Sequence, residues 1–370
     1  MDRKQANRNL APALQFAVAA LFFFAATICV SSVVAQNRRL PPPPPGPTLR
    51  PKPTPKPTPT PEPVYEVLKI SSNLVVVPVS VTDANGQAVL GLKQEDFRVV
   101  EDNRPQQIAQ IGDPGQVPLD IAILLDVSAS VEARFGFEQK AAADFVREVL
   151  KPGDRATVFA IDQTPRLIQP LASADVAAKQ LMTVVAAKGF TAFFDSVLAA
   201  EKYLDQNSPQ GRRRVVVVIS DGDDTARIND LFEARNRNSN FRLSSMEAQL
   251  QFIERAQADV LKEVQKAEIS FYSINPSGQT LHLNVRIARS EQGMERLAQA
   301  TGGAAFIPKD EADLPEIFRR IAAELRSQYL IQYYSDNQSS GASYRHISVT
   351  IPAQPPLRVR AREGYYPKAK

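Results

Sequence analysis

Cysteine, tryptophan and histidine are nearly absent from this 370-residue chain, which has one cysteine, no tryptophan and two histidines. The single cysteine, Cys29, cannot form a disulfide within the chain, so stability has to come from packing. His282 and His346 lie far apart in the sequence with no cysteine nearby, which argues against a zinc site or a Ser–His triad. The sequence also lacks G-x-S-x-G and G-x-x-x-x-G-K-[ST] motifs, and we therefore expect a protein that is not an enzyme.

A basic folded surface is missing too, although the formal net charge is +4. The first 64 residues hold 8 of the 44 basic and 2 of the 40 acidic residues, which leaves the rest of the chain slightly acidic. Binding of nucleic acid needs Lys and Arg clustered on a folded face. The composition therefore predicts no nucleic-acid partner.

The N-terminal segment has the pattern of an export signal. Three basic residues precede an apolar run over 16–30, and small residues close the segment at Ala35. The run is shorter than the roughly 20 residues that span a bilayer comfortably. We predict a signal peptide over 1–35 and a secreted, periplasmic or cell-surface protein. An uncleaved signal acting as an anchor is the alternative, and it is the only membrane contact that we expect.

Residues 36–64 are rich in proline, with thirteen of the 29 prolines between Pro41 and Pro63. Proline fixes φ and has no N–H, so this segment is expected to form an extended polyproline II rod. At roughly 3.1 Å per residue the rod would reach about 80 Å. We interpret it as a linker or stalk.

The two flanks of the remaining chain both read as β-structure. Residues 65–117 contain a valine-rich alternation over 73–81 and a hairpin signal at Asn85-Gly86. Residues 331–370 contain similar strand patterns. We predict that the flanks pair into one small β-sandwich.

Residues 118–330, between the flanks, alternate apolar strand runs with helical patterns. Such alternation predicts an α/β domain with a doubly wound, mostly parallel, Rossmann-like sheet covered on both faces. The predicted strands cover 119–125, 156–161, 215–219, 269–274 and 304–307. The predicted helices cover 137–150, 173–185, 192–204, 246–267, 294–300 and 314–326.

Oxygen-bearing side chains follow two of the buried strands. Asp126, Ser128 and Ser130 form a D-x-S-x-S motif at the end of the first strand, Asp221 follows the strand over 215–219, and Thr191 lies in a loop between them. In a doubly wound sheet, ligands bind beyond the carboxyl ends of the strands where the strand order reverses. Carboxylate and hydroxyl oxygens suit a hard cation. We predict that these five residues hold Mg²⁺ or Mn²⁺ with one coordination position left for an acidic group of a partner.

The same segments show a family resemblance. Residues 119–130, 189–192 and 220–222 resemble the three metal loops of a von Willebrand factor A domain, and 95–101 and 362–366 resemble segments of secreted bacterial proteins related to that family. The resemblance implies a Rossmann-like sheet and a metal-ion-dependent adhesion site at the five residues named above. It implies ligand binding without catalysis.

Structural readings of these residues remain open from the sequence alone. Asp and Ser are good helix caps, and N-capping of a helix is as plausible for Thr191 as metal ligation. For Asp223 and Asp224 we favour a solvated acidic loop over support of the metal site. The segment 226–245 extends the loop after Asp221, and it either shapes the choice of partner or is a plain surface segment.

The sequence thus favours an exported binding module that captures a partner, a protein or another ligand, through an Asp or Glu carboxylate. The alternative is a structural or assembly subunit of a cell-envelope complex. A metal-dependent hydrolase is the weakest hypothesis, because no convincing general base is present.

Overall fold

The computed structural model describes residues 74–128, 134–229, 246–278, 285–337, 343–352 and 357–367. The predicted signal peptide and proline-rich segment lie outside the described residues, as do Ser130, His282 and residues 230–245. None of the helices in the described part of the chain is long and apolar enough to cross a membrane.

Strands and helices alternate in the middle of the chain and strands dominate at both ends. The strands are β1 Leu74–Thr82, β2 Arg98–Glu101, β3 Arg104–Gln106, β4 Ile108–Gly112, β5 Leu119–Asp126, β6 Arg155–Ile161, β7 Arg166–Ala172, β8 Arg213–Ile219, β9 Ile269–Ile274, β10 Ala305–Phe306, β11 Tyr329–Tyr334, β12 Arg345–Thr350, β13 Arg358–Ala361 and β14 Gly364–Tyr365. The helices are α1 Phe135–Val149, α2 Ala174–Leu181, α3 Phe193–Asn207, α4 Met246–Lys266, α5 Val285–Thr301 and α6 Leu314–Ser327, with a further helical stretch at 225–229.

The central sheet has six strands in the order β10-β9-β8-β5-β6-β7. All neighbours pair in parallel except β6 and β7, which are antiparallel. Every residue of β5 and β9 is buried, as continuous apolar runs require when helices cover both faces. One apolar core lies between the sheet and α1, α2 and α6, and a second lies between the sheet and α3, α4 and α5. The predicted doubly wound α/β sheet is confirmed.

The chain passes from β5 outward to β6 and β7 and then returns to place β8 on the other side of β5. The strand order therefore reverses between β5 and β8, which makes the carboxyl ends of these two strands the switch point of the sheet. Leu125 lies opposite Ile219 in their parallel register. This adjacency positions the site described below.

The flanks form two four-stranded antiparallel sheets, β13-β1-β11-β4 and β14-β12-β2-β3. Strand β1 pairs with β11 and β13, and β2 pairs with β12, so each sheet joins the N-terminal flank to the C-terminal flank. Asp102 and Asn103 both have positive φ (45° and 65°) in the tight turn between β2 and β3. These residue types tolerate that conformation in hairpin turns. The flanking β-sandwich predicted as part of the fold is confirmed.

A buried carboxylate holds the strands of the sandwich together. Glu101 accepts hydrogen bonds from the hydroxyls of Tyr333 (2.7 Å), Ser335 (2.6 Å) and Tyr365 (3.1 Å). The guanidinium of Arg345 lies 3.4 Å from the same carboxylate and balances its charge. Because Glu101 belongs to the N-terminal flank and its partners to the C-terminal flank, the cluster favours pairing of the two flanks.

A second carboxylate joins the sandwich to the central domain. The sandwich and the central domain lie in one compact unit of the chain. Glu324 on α6 accepts hydrogen bonds from Ser80 on β1 (2.9 Å) and from the hydroxyl of Tyr272 on β9 (2.6 Å). It also forms an ion pair with Arg360 on β13. One side chain of the last helix therefore contacts both sheets that meet at this junction.

Replacing Glu324 with alanine is expected to lower the free energy of unfolding by about 2–3 kcal/mol, because it leaves the buried Tyr272 hydroxyl and Arg360 without their acceptor. Urea unfolding measures the change. Glu316→Ala is the matched control: Glu316 lies on the same helix in an exposed ion pair with Arg319, and its loss should change stability by less than about 0.5 kcal/mol. Equal effects of the two changes would contradict this role of Glu324.

Candidate metal site at the carboxyl edge of the central sheet

The end of β5 and the residues after β8 lie side by side at the switch point. Neighbouring strands in a sheet are about 4.8 Å apart. In this register Asp126, the last residue of β5, faces Ser220, and Asp221 comes next. The two aspartates predicted from the sequence are thus carried by adjacent strand ends.

The carboxylate of Asp126 is fully buried and held by two hydrogen bonds. The backbone N–H of Ser128 donates to Oδ1 (2.9 Å), and the hydroxyl of Ser220 donates to Oδ2 (2.6 Å). Burial, with a smaller contribution from the charge of Asp221, raises the pKa of Asp126 to about 6, although the bonds from Ser220 and Ser128 oppose the rise. A bound cation would remove the electrostatic cost of keeping this carboxylate ionised.

Ser220 is a positioning residue that the sequence analysis did not single out. Besides donating to Asp126, its hydroxyl accepts a hydrogen bond from the N–H of Gly222 (3.0 Å). Gly222 has φ of +77°, and a Cβ there would lie 2.8 Å from the Met294 side chain. Ser220 therefore fixes both the Asp126 carboxylate and the turn that carries Asp221. The serine directly before the Asp-Gly pair is the sequence signal that could have indicated this.

Backbone contacts of Thr191 hold the loop before α3 against the residues that follow Asp221. Its N–H donates to the hydroxyl of Thr225 (2.7 Å), and its carbonyl accepts from the N–H of Ala226 (3.1 Å). Thr191 is 4% exposed. The N-cap of α3 is Ala192, so the capping alternative for Thr191 is wrong.

Asp224 fills the capping role instead. Its Oδ2 accepts from the N–H of Phe194 in the first turn of α3 (2.8 Å), and its Oδ1 accepts from the N–H of Arg227 (2.9 Å). It is 3% exposed, and burial raises its pKa despite these hydrogen bonds. The expectation of a solvated acidic loop is therefore wrong for Asp224. The side chain lies under the loop because it satisfies helix N–H groups that no residue of α3 itself can reach.

Asp223 has a different position, half-buried next to Asp221. Its N–H donates to Oδ1 of Asp221 (3.0 Å), which orients that carboxylate. Arg227, at the start of the segment 226–245, forms ion pairs with Asp195 and Asp224 and lies over the ring of Phe194. The first residues of that segment thus pack on α3, and the hypothesis that the segment selects a partner concerns residues mostly outside the described ranges.

Four of the five predicted ligands, Asp126, Ser128, Thr191 and Asp221, lie at this one edge, and the fifth, Ser130, lies outside the described residues. All of their side-chain donors are oxygens, which fits a hard divalent cation. No group of three or more His, Cys, Asp or Glu able to hold a metal occurs in the described part of the chain. A cation here would therefore depend on serine and threonine hydroxyls beside two carboxylates.

One comparison with known proteins identifies a domain type. Residues 121–223 match the sequence profile of the von Willebrand factor type A domain. A search of curated protein sequences finds no match.

Solved structures provide further similarities, all at low identity. The chain is similar to a conserved hypothetical protein, BatB, from Bacteroides thetaiotaomicron (16% identity, TM-score 0.38, covering 55% of this chain and 97% of that one). It is similar to a von Willebrand factor type A protein from Catenulispora acidiphila (13% identity, TM-score 0.43, covering 81% of this chain and 64% of that one). It is also similar to the vWF domain of the type V pili tip protein Mfa5 from Porphyromonas gingivalis (13% identity, TM-score 0.39, covering 56% of this chain and 94% of that one).

The profile match spans β5 to the loop after β8, which is the part of the sheet that carries Asp126, Thr191 and Asp221. The chain therefore contains a von Willebrand factor type A domain, matched over residues 121–223.

Proposed function

We propose that this protein is an exported binding module that holds Mg²⁺ or Mn²⁺ through Asp126, Ser128, Ser130, Thr191 and Asp221. The bound ion then captures an Asp or Glu carboxylate of a partner at its open coordination position. The observation that carries the proposal is the buried Asp126 carboxylate, oriented by Ser220 next to the strand end that bears Asp221. A cation would offset the electrostatic cost of a buried carboxylate that has a second carboxylate beside it.

The chemistry of the site favours binding over catalysis. The hydroxyl ligands are neutral and only two carboxylates contribute charge, so an ion held here retains attraction for another anion. The side chain of Phe190, next to Thr191, is 46% exposed. We infer that a partner reaching the ion also contacts an apolar side chain, which adds affinity that does not depend on charge.

The export signal and the proline-rich segment complete the proposal. The stalk of residues 36–64 would hold the binding domain away from the membrane or the site of signal cleavage. The β-sandwich lies against α5 and α6, where the N–H of Glu363 donates to the carbonyl of Ala300 and Glu324 contacts Ser80. The metal site lies at the carboxyl ends of the strands, an edge to which the sandwich contributes none of the residues named.

Asp221→Asn is expected to weaken Mg²⁺ and Mn²⁺ binding on the order of 100-fold, as the loss of one ion–carboxylate attraction implies. Isothermal titration calorimetry on the full chain measures this. Asp175→Asn, on the exposed surface of α2, is the control and should bind like the unchanged protein. Equal affinities for all three proteins would show that the cation, if bound, lies elsewhere.

Metal removal is expected to destabilise the protein. Mg²⁺ at one hundred times its Kd should add about 2.7 kcal/mol to the free energy of unfolding relative to EDTA. Thr191→Val should reduce that gain, because it removes a hydroxyl ligand while keeping a buried side chain of similar size. Thr183→Val, on an exposed turn, should keep the full gain in urea unfolding. The proposal fails for Thr191 if both variants respond to Mg²⁺ alike.

Partner capture is expected to require the ion. Envelope proteins and glycans retained by the immobilised full chain in Mg²⁺ should be released by EDTA and should not be retained by Asp221→Asn. The component is then tested as a purified ligand, with its Asp or Glu residues changed to Asn or Gln. Retention that survives both EDTA and Asp221→Asn would support the alternative of a scaffolding or assembly subunit.

A further inference from the structure

A third carboxylate is buried at the start of α1. Glu138 lies in the first turn of α1, the helix that follows the loop of Ser128, and its side chain is fully buried. Neither of its oxygens has a hydrogen-bond partner in the described part of the chain. The Nε of Arg134 lies 3.8 Å from Oε1. A buried carboxylate with so little compensation is costly unless a cation or a proton neutralises it.

The charged groups around Glu138 leave its negative charge poorly compensated. Burial raises the pKa of Glu138 to about 8; Arg134 opposes the rise, and the negative charges of Asp126, Glu311 and Asp221 add to it. Asp126 and Asp221 are the two carboxylates of the candidate metal site. The charge of Glu138 therefore interacts with the two carboxylates that would hold an ion.

Arg134 does not fully compensate for Glu138. Its Nη2 also donates to the hydroxyl of Ser277 (3.1 Å), after β9, and about a third of the arginine side chain is exposed. Glu138, at the start of α1, thus interacts unfavourably with Asp126 and Asp221, and the guanidinium of Arg134 opposes that interaction. A divalent cation would bring these charges into balance.

Resting on the proposed function, we propose that Glu138 belongs to the cation pocket as a positioning residue whose carboxylate strengthens binding of the divalent ion. It is not one of the five ligands expected from the sequence. Its negative charge attracts the cation without direct ligation, and it also acts on the residues that surround the ion. Residues that support metal ligands in this way commonly contribute to the affinity for the metal.

The test compares Glu138→Gln with the unchanged full chain. Calorimetric titration with Mg²⁺ alone at pH 8.5, where the carboxylate is ionised before metal binding, should show a Kd that is roughly 10- to 100-fold weaker in the variant. Glu138→Asp, which keeps the charge, should recover part of the affinity. In EDTA at the same pH, Glu138→Gln should unfold at the same or a higher urea concentration, because it removes an uncompensated buried charge.

Glu201→Gln is the matched control. Burial also raises the pKa of Glu201, to about 7, but this residue lies on α3 with Asp205, Glu263 and Lys266 as its charged neighbours. Its replacement should leave the Mg²⁺ affinity unchanged. A weakened affinity in Glu138→Gln together with retained stability in EDTA distinguishes support of the ion from a purely structural role.

The outcomes separate the two proposals. If the unchanged protein takes up neither Mg²⁺ nor Mn²⁺, the proposed function fails and this inference fails with it. If the unchanged protein binds Mg²⁺ and Glu138→Gln binds it equally well, only the role of Glu138 is overturned. If Glu138→Gln loses stability in EDTA and affinity alike, Glu138 is a structural residue and the inference is again overturned.

Discussion

The burial of the Asp126 carboxylate at the end of a central strand is the constraint on which the site depends. A carboxylate in that position needs hydrogen bonds, a proton or a cation, and two bonds, from Ser128 and Ser220, are built into the fold. Both donors come from residues whose positions follow from the pairing of β5 with β8. The order of strands in the sheet therefore decides that two acidic strand ends meet at one point.

The surrounding loops are fixed by contacts that require no ion. Asp224 caps α3, Thr225 receives the N–H of Thr191, and Ser220 receives the N–H of Gly222. The first two contacts join the segment after β8 to the start of α3, and the third fixes the turn that carries Asp221. Such a site is already organised before a ligand arrives, and binding then costs less conformational entropy than it would in a mobile loop.

Much of the fold was predictable from local patterns. The buried runs of β5, β8 and β9 are continuous and apolar, and the pairing of the flanks followed from their similar strand patterns. Strand β7 was missed because it is an antiparallel edge strand, only half-buried, with Pro170 in its sequence. Helix α5 begins at Val285 rather than at the predicted 294, and its Gly293 packs against Gln257 of α4. A glycine inside a helical pattern gives no local indication of such a neighbour.

The site was predictable to a different degree. Asp126, Ser128, Thr191 and Asp221 could be placed at one sheet edge from their positions after buried strands and in the connecting loop. Asp224 and Glu138 could not be assigned, because their burial depends on helices that are distant in sequence. The sequence offers an acidic residue in each case, and only the packing of α1 and α3 decides whether that residue faces water or the interior.

Crystals of the full chain grown with Mn²⁺ test the central claim most directly, because manganese can be located by its anomalous scattering. The account predicts one anomalous peak between the carboxylates of Asp126 and Asp221, within bonding distance of oxygens from the predicted ligands. A peak located elsewhere, or none at a saturating Mn²⁺ concentration, would contradict it.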